Sequence, residues 1–253
     1  MNRLSAHIGY LYTDLPLAAR PAAAARDGFT AVEHPEPWDL PLSAWQVALA
    51  GLDLPFAQTS SGMGGAKGLA ALPGREEDFR TGFLRALDYA TGLNAPFLHP
   101  MAGAGGQEAV YRANLDWALA QLRGTGIRLL VEPITTIPGY HMNSFAAAME
   151  LQDRMGDGVA LLFDSFHAAN AGIDPARWVQ ENSARIGHVH IADHPGRHEP
   201  GTGTLDFAAL LDALQDAGFA GAIGFEYLPS IATTASAAFL PGWAERLSRK
   251  VPT

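Results

Sequence analysis

Eight times along this chain a short run rich in β-branched, aliphatic or aromatic residues gives way to a longer segment dominated by alanine, leucine and arginine. That alternation constrains the fold more than any other feature, because two parallel strands need a crossover of a dozen or more residues between them, usually a helix. The strand-like runs are His7 to Tyr12, Phe29 to His34, Leu54 to Ser60, Pro96 to Ala102, Ile127 to Ile134, Val159 to Phe166, Ile186 to Asp193 and Ala222 to Tyr227. Several are apolar almost throughout, as a strand covered on both faces requires. Eight such units in 253 residues, close to the roughly 250 typical of a barrel, predict a single (β/α)8 TIM barrel spanning residues 1–253 as one domain. An open doubly wound sheet has the same periodicity and stays open on these grounds alone.

The intervening segments carry helical spacing. Residues 75–93 place Phe79, Phe83, Leu84, Leu87 and Ala90 three and four apart, and residues 206–217 do the same with Phe207, Leu210, Leu211 and Leu214. Gly28, Gly126 and Gly218 fall just before strands, where a helix stop needs a residue tolerant of positive φ. Pro21 suits the first turn of a helix. Residues 229–253 include Trp243 in an amphipathic helix that can pack on the barrel or on a second copy of the chain, so a homo-oligomer is compatible with the sequence.

Composition narrows the function classes. Apolar residues make up 48% of the chain and charged ones 17%, a balance suited to a packed globule and not to a disordered segment. The net charge is −9 and the only lysines are Lys67 and Lys250, which disfavours binding along a nucleic-acid backbone. No apolar stretch approaches the ~20 residues that span a bilayer, and no basic start leads into an apolar leader, so a cytoplasmic protein without a membrane partner is expected. The lack of cysteine excludes disulfides, thiolate metal sites and a cysteine nucleophile.

Four acidic or imidazole side chains lie near the C-terminal ends of successive predicted strands: Glu132 in LLVEPI, Asp164 in LLFDSFH, His190 in HVHIAD and Glu226 in GFEY. In a barrel these ends point toward one mouth. A charge left alone there costs several kcal/mol to desolvate, so something must compensate it. Separate pairing with arginines would do so for any one of them. A shared divalent metal ion accounts for all four, with Mg2+ or Mn2+ foremost and Co2+ or Zn2+ admissible for three carboxylates and one imidazole. His188 shares the His190 strand face and is read as a core or supporting group.

IGHVHIADHPGRHEPGTGTLDF, residues 186–207, resembles the strand-seven motif of the hydroxypyruvate isomerase family of xylose-isomerase-like barrels. LVEPI followed by PGY and Asn143 is similar to that family's strand-five motif, LPGREEDF to its strand-three loop and helix, and FDSFH and GFEY to strands six and eight. The resemblance implies metal ligation by Glu132, Asp164, His190 and Glu226, with Glu132 and Glu226 also forming the acid/base pair. Many relatives have glutamine where this chain has His190; both side chains offer a neutral lone pair. His167 is retained and is expected to contact substrate.

Arg197 and His198 sit in a loop stiffened by Pro195, Gly196, Pro200 and Gly201 and are expected to bind substrate, since an arginine fork suits a carboxylate. The alternative is an arginine that closes its own loop on Asp193 or Glu199. Residues 62–68, glycine-rich and containing Lys67, are a candidate lid. The activity the resemblance implies is a metal-dependent 1,2 carbonyl shift on a small hydroxy-carbonyl acid, hydroxypyruvate giving tartronate semialdehyde through an enediolate. A 2-oxo-tetronate isomerase, a ketose 3-epimerase, an endonuclease for abasic DNA and a non-catalytic ligand-binding barrel are the competing readings, the endonuclease being opposed by the chain's acidity.

Overall fold

Parallel pairing organises the computed structural model, which describes residues 2–248. Its strands are β1 (Leu4–His7), β2 (Ala31–Glu33), β3 (Thr59–Ser60), β4 (Phe97–His99), β5 (Arg128–Val131), β6 (Val159–Asp164), β7 (Ile186–Ile191) and β8 (Ile223–Phe225). The helices are α1 (Arg20–Asp27), α2 (Leu42–Leu49), α3 (Glu76–Gly92), α4 (Glu108–Gln121), α5 (Phe145–Met155), α6 (Ser165–Asn170), α7 (Pro175–Asn182), α8 (Phe207–Asp216), α9 (Thr233–Ser236) and α10 (Leu240–Ser248). The strands follow the order β2-β1-β8-β7-β6-β5-β4-β3, the circular order of a nearly closed (β/α)8 TIM barrel whose seam falls between β2 and β3. At the seam the Ser60 N–H and hydroxyl both donate to the Pro35 carbonyl, at 3.1 and 2.8 Å.

The chain forms two compact units: residues up to 32, 48–54 and 163 onward make one, and residues 33–47 and 55–162 the other. In the first, β8 pairs in parallel with both β1 and β7, His190 lying opposite Gly224. Its apolar centre is aromatic: Phe225 meets Phe239 at 4.9 Å, Trp243 at 5.2 Å and Phe29 at 5.8 Å, while Phe163 stacks on Trp178 at 4.8 Å. Trp243 of α10 therefore packs on its own unit, and the rest of the expected C-terminal segment, from 249, lies outside the described residues. Helix starts are fixed by acids, with Asp174 capping α7 ahead of Pro175 and Asp206 capping α8 through Ala209 N at 2.9 Å.

In the second unit β3, β4, β5 and β6 pair successively in parallel. Leu130, Ala160 and Leu162 pack together against Phe97, and Phe79, Phe83 and Trp117 form a cluster between α3 and α4. On α3 the buried stripe is Phe79, Phe83, Ala86 and Ala90, whereas Leu84, expected inside, is exposed.

Strand lengths differ from expectation in one consequential place. Residues 7–12 were expected as the first strand, but β1 ends at His7, where the His7 carbonyl accepts from both Tyr10 N and Leu11 N at 2.9 Å and turns the chain. Within the expected run 54–60 only Thr59–Ser60 is regular strand, since Pro55 lacks a ladder donor.

Candidate active site

Asp164 serves two structures at once. As the last residue of β6 and the N-cap of α6, it accepts from Phe166 N at 2.7 Å and His167 N at 3.2 Å, both through Oδ1. Its Oδ2 is buried and, among the described residues, accepts no hydrogen bond. Oδ2 lies 3.6 Å from Arg197 Nη2 and 4.0 Å from His167 Nε2.

His190 projects from β7 on the same face as His188, their rings meeting edge to face at 5.0 Å. The next strand delivers Glu226, one residue past β8, whose Oε2 lies 3.5 Å from His190 Nδ1 and whose Oε1 lies 3.4 Å from His7 Nε2. Asp164, His190 and Glu226 each offer one ligand atom, all within 4.8 Å of one another. Burial by itself would raise the Glu226 carboxyl, but Arg197, His190 and His7 together outweigh it and hold the group well below the ordinary range, ionised at neutral pH. Burial lowers the His167 imidazole, against the opposing pull of Asp164. Two carboxylates and an imidazole, one carboxylate oxygen being buried with no donor among the described residues, form a set that fits a divalent cation.

The loop after β7 brings Arg197 to this cluster. Its backbone carries a positive φ of 56°, its N–H donates to the Asp193 carbonyl at 2.8 Å, and its carbonyl accepts from Leu228 N at 2.8 Å. Its Nη2 pairs with Glu226 Oε2, and its guanidinium sits 5.4 Å from the Tyr10 ring and 5.2 Å from that of Phe166. The Asp193 carboxylate instead accepts from the N–H groups of His194, Gly201, Gly203 and Leu205, and Glu199 from the backbone and hydroxyl of Ser230. His198 Nδ1 donates to the Leu228 carbonyl at 2.7 Å, fastening the same loop to the segment after β8.

In the other unit Glu132 follows β5 directly and is buried, with Oε2 3.7 Å from His99 Nδ1. Glu33, the last residue of β2, is fully buried, and His99 closes β4. Sequence reasoning passed over His7, Glu33 and His99, although each is the terminal residue of its strand, the criterion that picked out Asp164. The candidate lid is tethered at both ends: Met63 N donates to Glu36 Oε1 at 3.0 Å, and Gly68 lies so close to Met101 that a Cβ would stand 2.2 Å from its carbonyl oxygen.

Comparison with known proteins identifies the family. The family described as xylose isomerase-like TIM barrel matches residues 21–242. The 2-oxo-tetronate isomerase of Cupriavidus necator is 34% identical over 97% of this chain and 100% of its own length. Hydroxypyruvate isomerase of Escherichia coli K12 is 32% identical, covering 93% of this chain and 96% of that one. Both relatives are isomerases. A solved Brucella melitensis protein described as an AP endonuclease of family 2 superposes with a TM-score of 0.90 at 32% identity, over 95% of this chain and 99% of that chain.

Proposed function

The chain belongs to the xylose isomerase-like TIM barrel family, and from that premise we propose that it is a divalent-metal-dependent isomerase of a small hydroxy-carbonyl acid, working as one barrel domain and interconverting hydroxypyruvate and tartronate semialdehyde. The observation that carries the reading is the Asp164, His190 and Glu226 cluster, with a buried carboxylate oxygen that accepts no hydrogen bond among the described residues. Glu132, the acid that follows β5, is our proposed fourth ligand. Held by these four, Mg2+ or Mn2+, with Co2+ or Zn2+ as alternatives, would supply Lewis acidity that stabilises negative charge developing on the substrate oxygens.

Glu132 and Glu226 are the proton carriers in this reading. One glutamate, ionised, removes a proton from the hydroxyl-bearing carbon, and the resulting enediolate accepts a proton on the neighbouring carbon from the other, which enters as the carboxylic acid; exchange with water then restores both. The hydroxyl proton of the first carbon passes to the oxygen of the second, so atoms balance and no oxidant is needed. Two acids are required because the proton leaves one carbon and arrives at another. Arg197 meets the substrate carboxylate with its planar fork. His167, a neutral donor at neutral pH, and His198, left with Nε2 once Nδ1 holds Leu228, complete the substrate-facing set.

The Cupriavidus relative favours a second substrate, a 2-oxo-tetronate, which differs by one carbon and passes through the same chemistry. We place the chain with the isomerases and not with enzymes of abasic DNA, because a net charge of −9 opposes a polyanion. A cytoplasmic location suits a small soluble acid, and no helix of the described residues is long and apolar enough to cross a membrane. The test is proton exchange between substrate and deuterated water, run with hydroxypyruvate, oxo-tetronates and free ketoses after metal removal and add-back. Exchange should need metal and fall by about two orders of magnitude or more in Glu132→Gln and Glu226→Gln. Wild-type exchange in either folded variant sinks the proton-carrier assignment.

A further inference from the structure

The guanidinium of Arg197 lies against two of the oxygens that a cation would take as ligands in the first unit. It pairs with Glu226 Oε2 and lies 3.6 Å from Asp164 Oδ2, so a singly charged group faces oxygens that would coordinate a doubly charged ion. Two cations cannot both sit that close to the same pair of oxygens without strong mutual repulsion. The root of the side chain is fixed at N–H and carbonyl by Asp193 and Leu228. Its head rests against Tyr10 and Phe166, flat apolar faces on which a guanidinium retains favourable contact over a range of positions. A pinned root and a head lying on two rings describe a group able to leave Glu226 without leaving the site.

We propose that Arg197 is a positioning residue that stands in for the divalent ion in the metal-free protein and turns to the substrate carboxylate when the ion binds, so that carboxylate and metal bind cooperatively. This inference rests on the metal-dependent reading above. Linkage makes the effect reciprocal: whatever draws Arg197 off Glu226 raises affinity for the ion, and the ion raises affinity for the carboxylate by the same factor.

The experiment is calorimetric titration of the metal-free protein with MnCl2, with and without saturating pyruvate, which has the carboxylate and carbonyl but no hydroxyl. Arg197→Met removes the charge and keeps an apolar stem against Tyr10 and Phe166. In wild type, pyruvate should tighten Mn2+ binding by about fivefold or more, the lower end of ordinary coupling between sites. Arg197→Met should bind Mn2+ at least about fivefold tighter than wild type without pyruvate and gain little from adding it. Its metal-free form should also melt at a lower temperature, recovering with Mn2+. Arg197→Lys, a charge without the fork, should fall between the two and serves where the methionine disturbs the loop.

The sign is decisive. A group that merely supports the ligands would weaken metal binding when lost, so folded variants that bind Mn2+ no tighter than wild type overturn the exchange while leaving the metal reading intact. Failure of wild type and variants alike to bind Mn2+ sinks the metal reading itself and this inference with it.

Discussion

Asp193→Asn probes the loop that presents Arg197. The Asp193 carboxylate is 1% exposed, with Oδ1 accepting from His194 N at 2.9 Å and Leu205 N at 3.1 Å, and Oδ2 accepting from Gly201 N and Gly203 N, both at 2.8 Å. Four backbone donors therefore close on two oxygens. Asparagine has the same shape but replaces one oxygen with an NH2, and whichever way the amide turns, two N–H groups then face a donor. Each buried donor left unpaired costs about 1–3 kcal/mol, and the two bonds that remain lose their charge assistance. The expected loss is about 3–6 kcal/mol, a large share of a typical stability of about 5–15 kcal/mol.

Urea unfolding of wild type and variant measures that loss, and amide exchange at Gly201, Gly203 and Leu205 shows whether the loop peels away before the rest unfolds. Peeling would cap the global loss while exposing those amides, and it would release the Arg197 N–H from its acceptor, so kcat/KM should fall in either case. A stability loss under about 1 kcal/mol with full protection of the three amides would refute the reasoning.

Two further outcomes follow from the same loop. Gly203→Ala would set a Cβ 2.2 Å from the His194 carbonyl oxygen and 2.6 Å from Asp193 Oδ1, so about 1–3 kcal/mol should be lost in urea unfolding, and an unchanged midpoint would contradict the packing. Burial tends to raise the Glu199 carboxyl, yet its hydrogen bonds from Ser230 prevail and lower it. Its contribution is therefore complete above the unfolded value of about 4.3 and is lost as pH falls through the lower folded value; Glu199→Gln should flatten that acid-side slope in unfolding measured across it.

Most of the barrel was legible in the sequence because burial on both faces forces apolar runs such as VALLF in β6, and because glycines mark the helix stops, with φ of 102° at Gly28 and 66° at Gly218. Strand ends were less legible. IGYLY after His7 is richer in strand-forming residues than LSA before it, and what stops β1 is a pair of backbone hydrogen bonds to the His7 carbonyl that no propensity encodes. Placing that strand late made His7, which lies 3.4 Å from Glu226, its first residue instead of its last. Leu84 failed for a different reason: spacings of three and four admit two overlapping stripes on α3, and only packing against α4, β3 and β4 selects Phe79, Phe83, Ala86 and Ala90. The partner of Arg197 was illegible because Asp193 and Glu199 are near in sequence and Glu226 is 29 residues away.

Asp164 shows why strand-end acids carry more information than their number suggests. Capping α6 needs one oxygen, and asparagine or serine would supply it as well as aspartate does. The second oxygen is then a liability to the fold, buried beside an arginine and a histidine that lie at 3.6 and 4.0 Å, outside hydrogen-bonding range. A residue chosen for capping alone gains nothing from that second oxygen, since a buried acceptor left without a donor costs about 1–3 kcal/mol. What favours aspartate over its neutral isostere acts on Oδ2: the Arg197 guanidinium stands 3.6 Å from it, and a cation held with His190 and Glu226 would act there in the function proposed above.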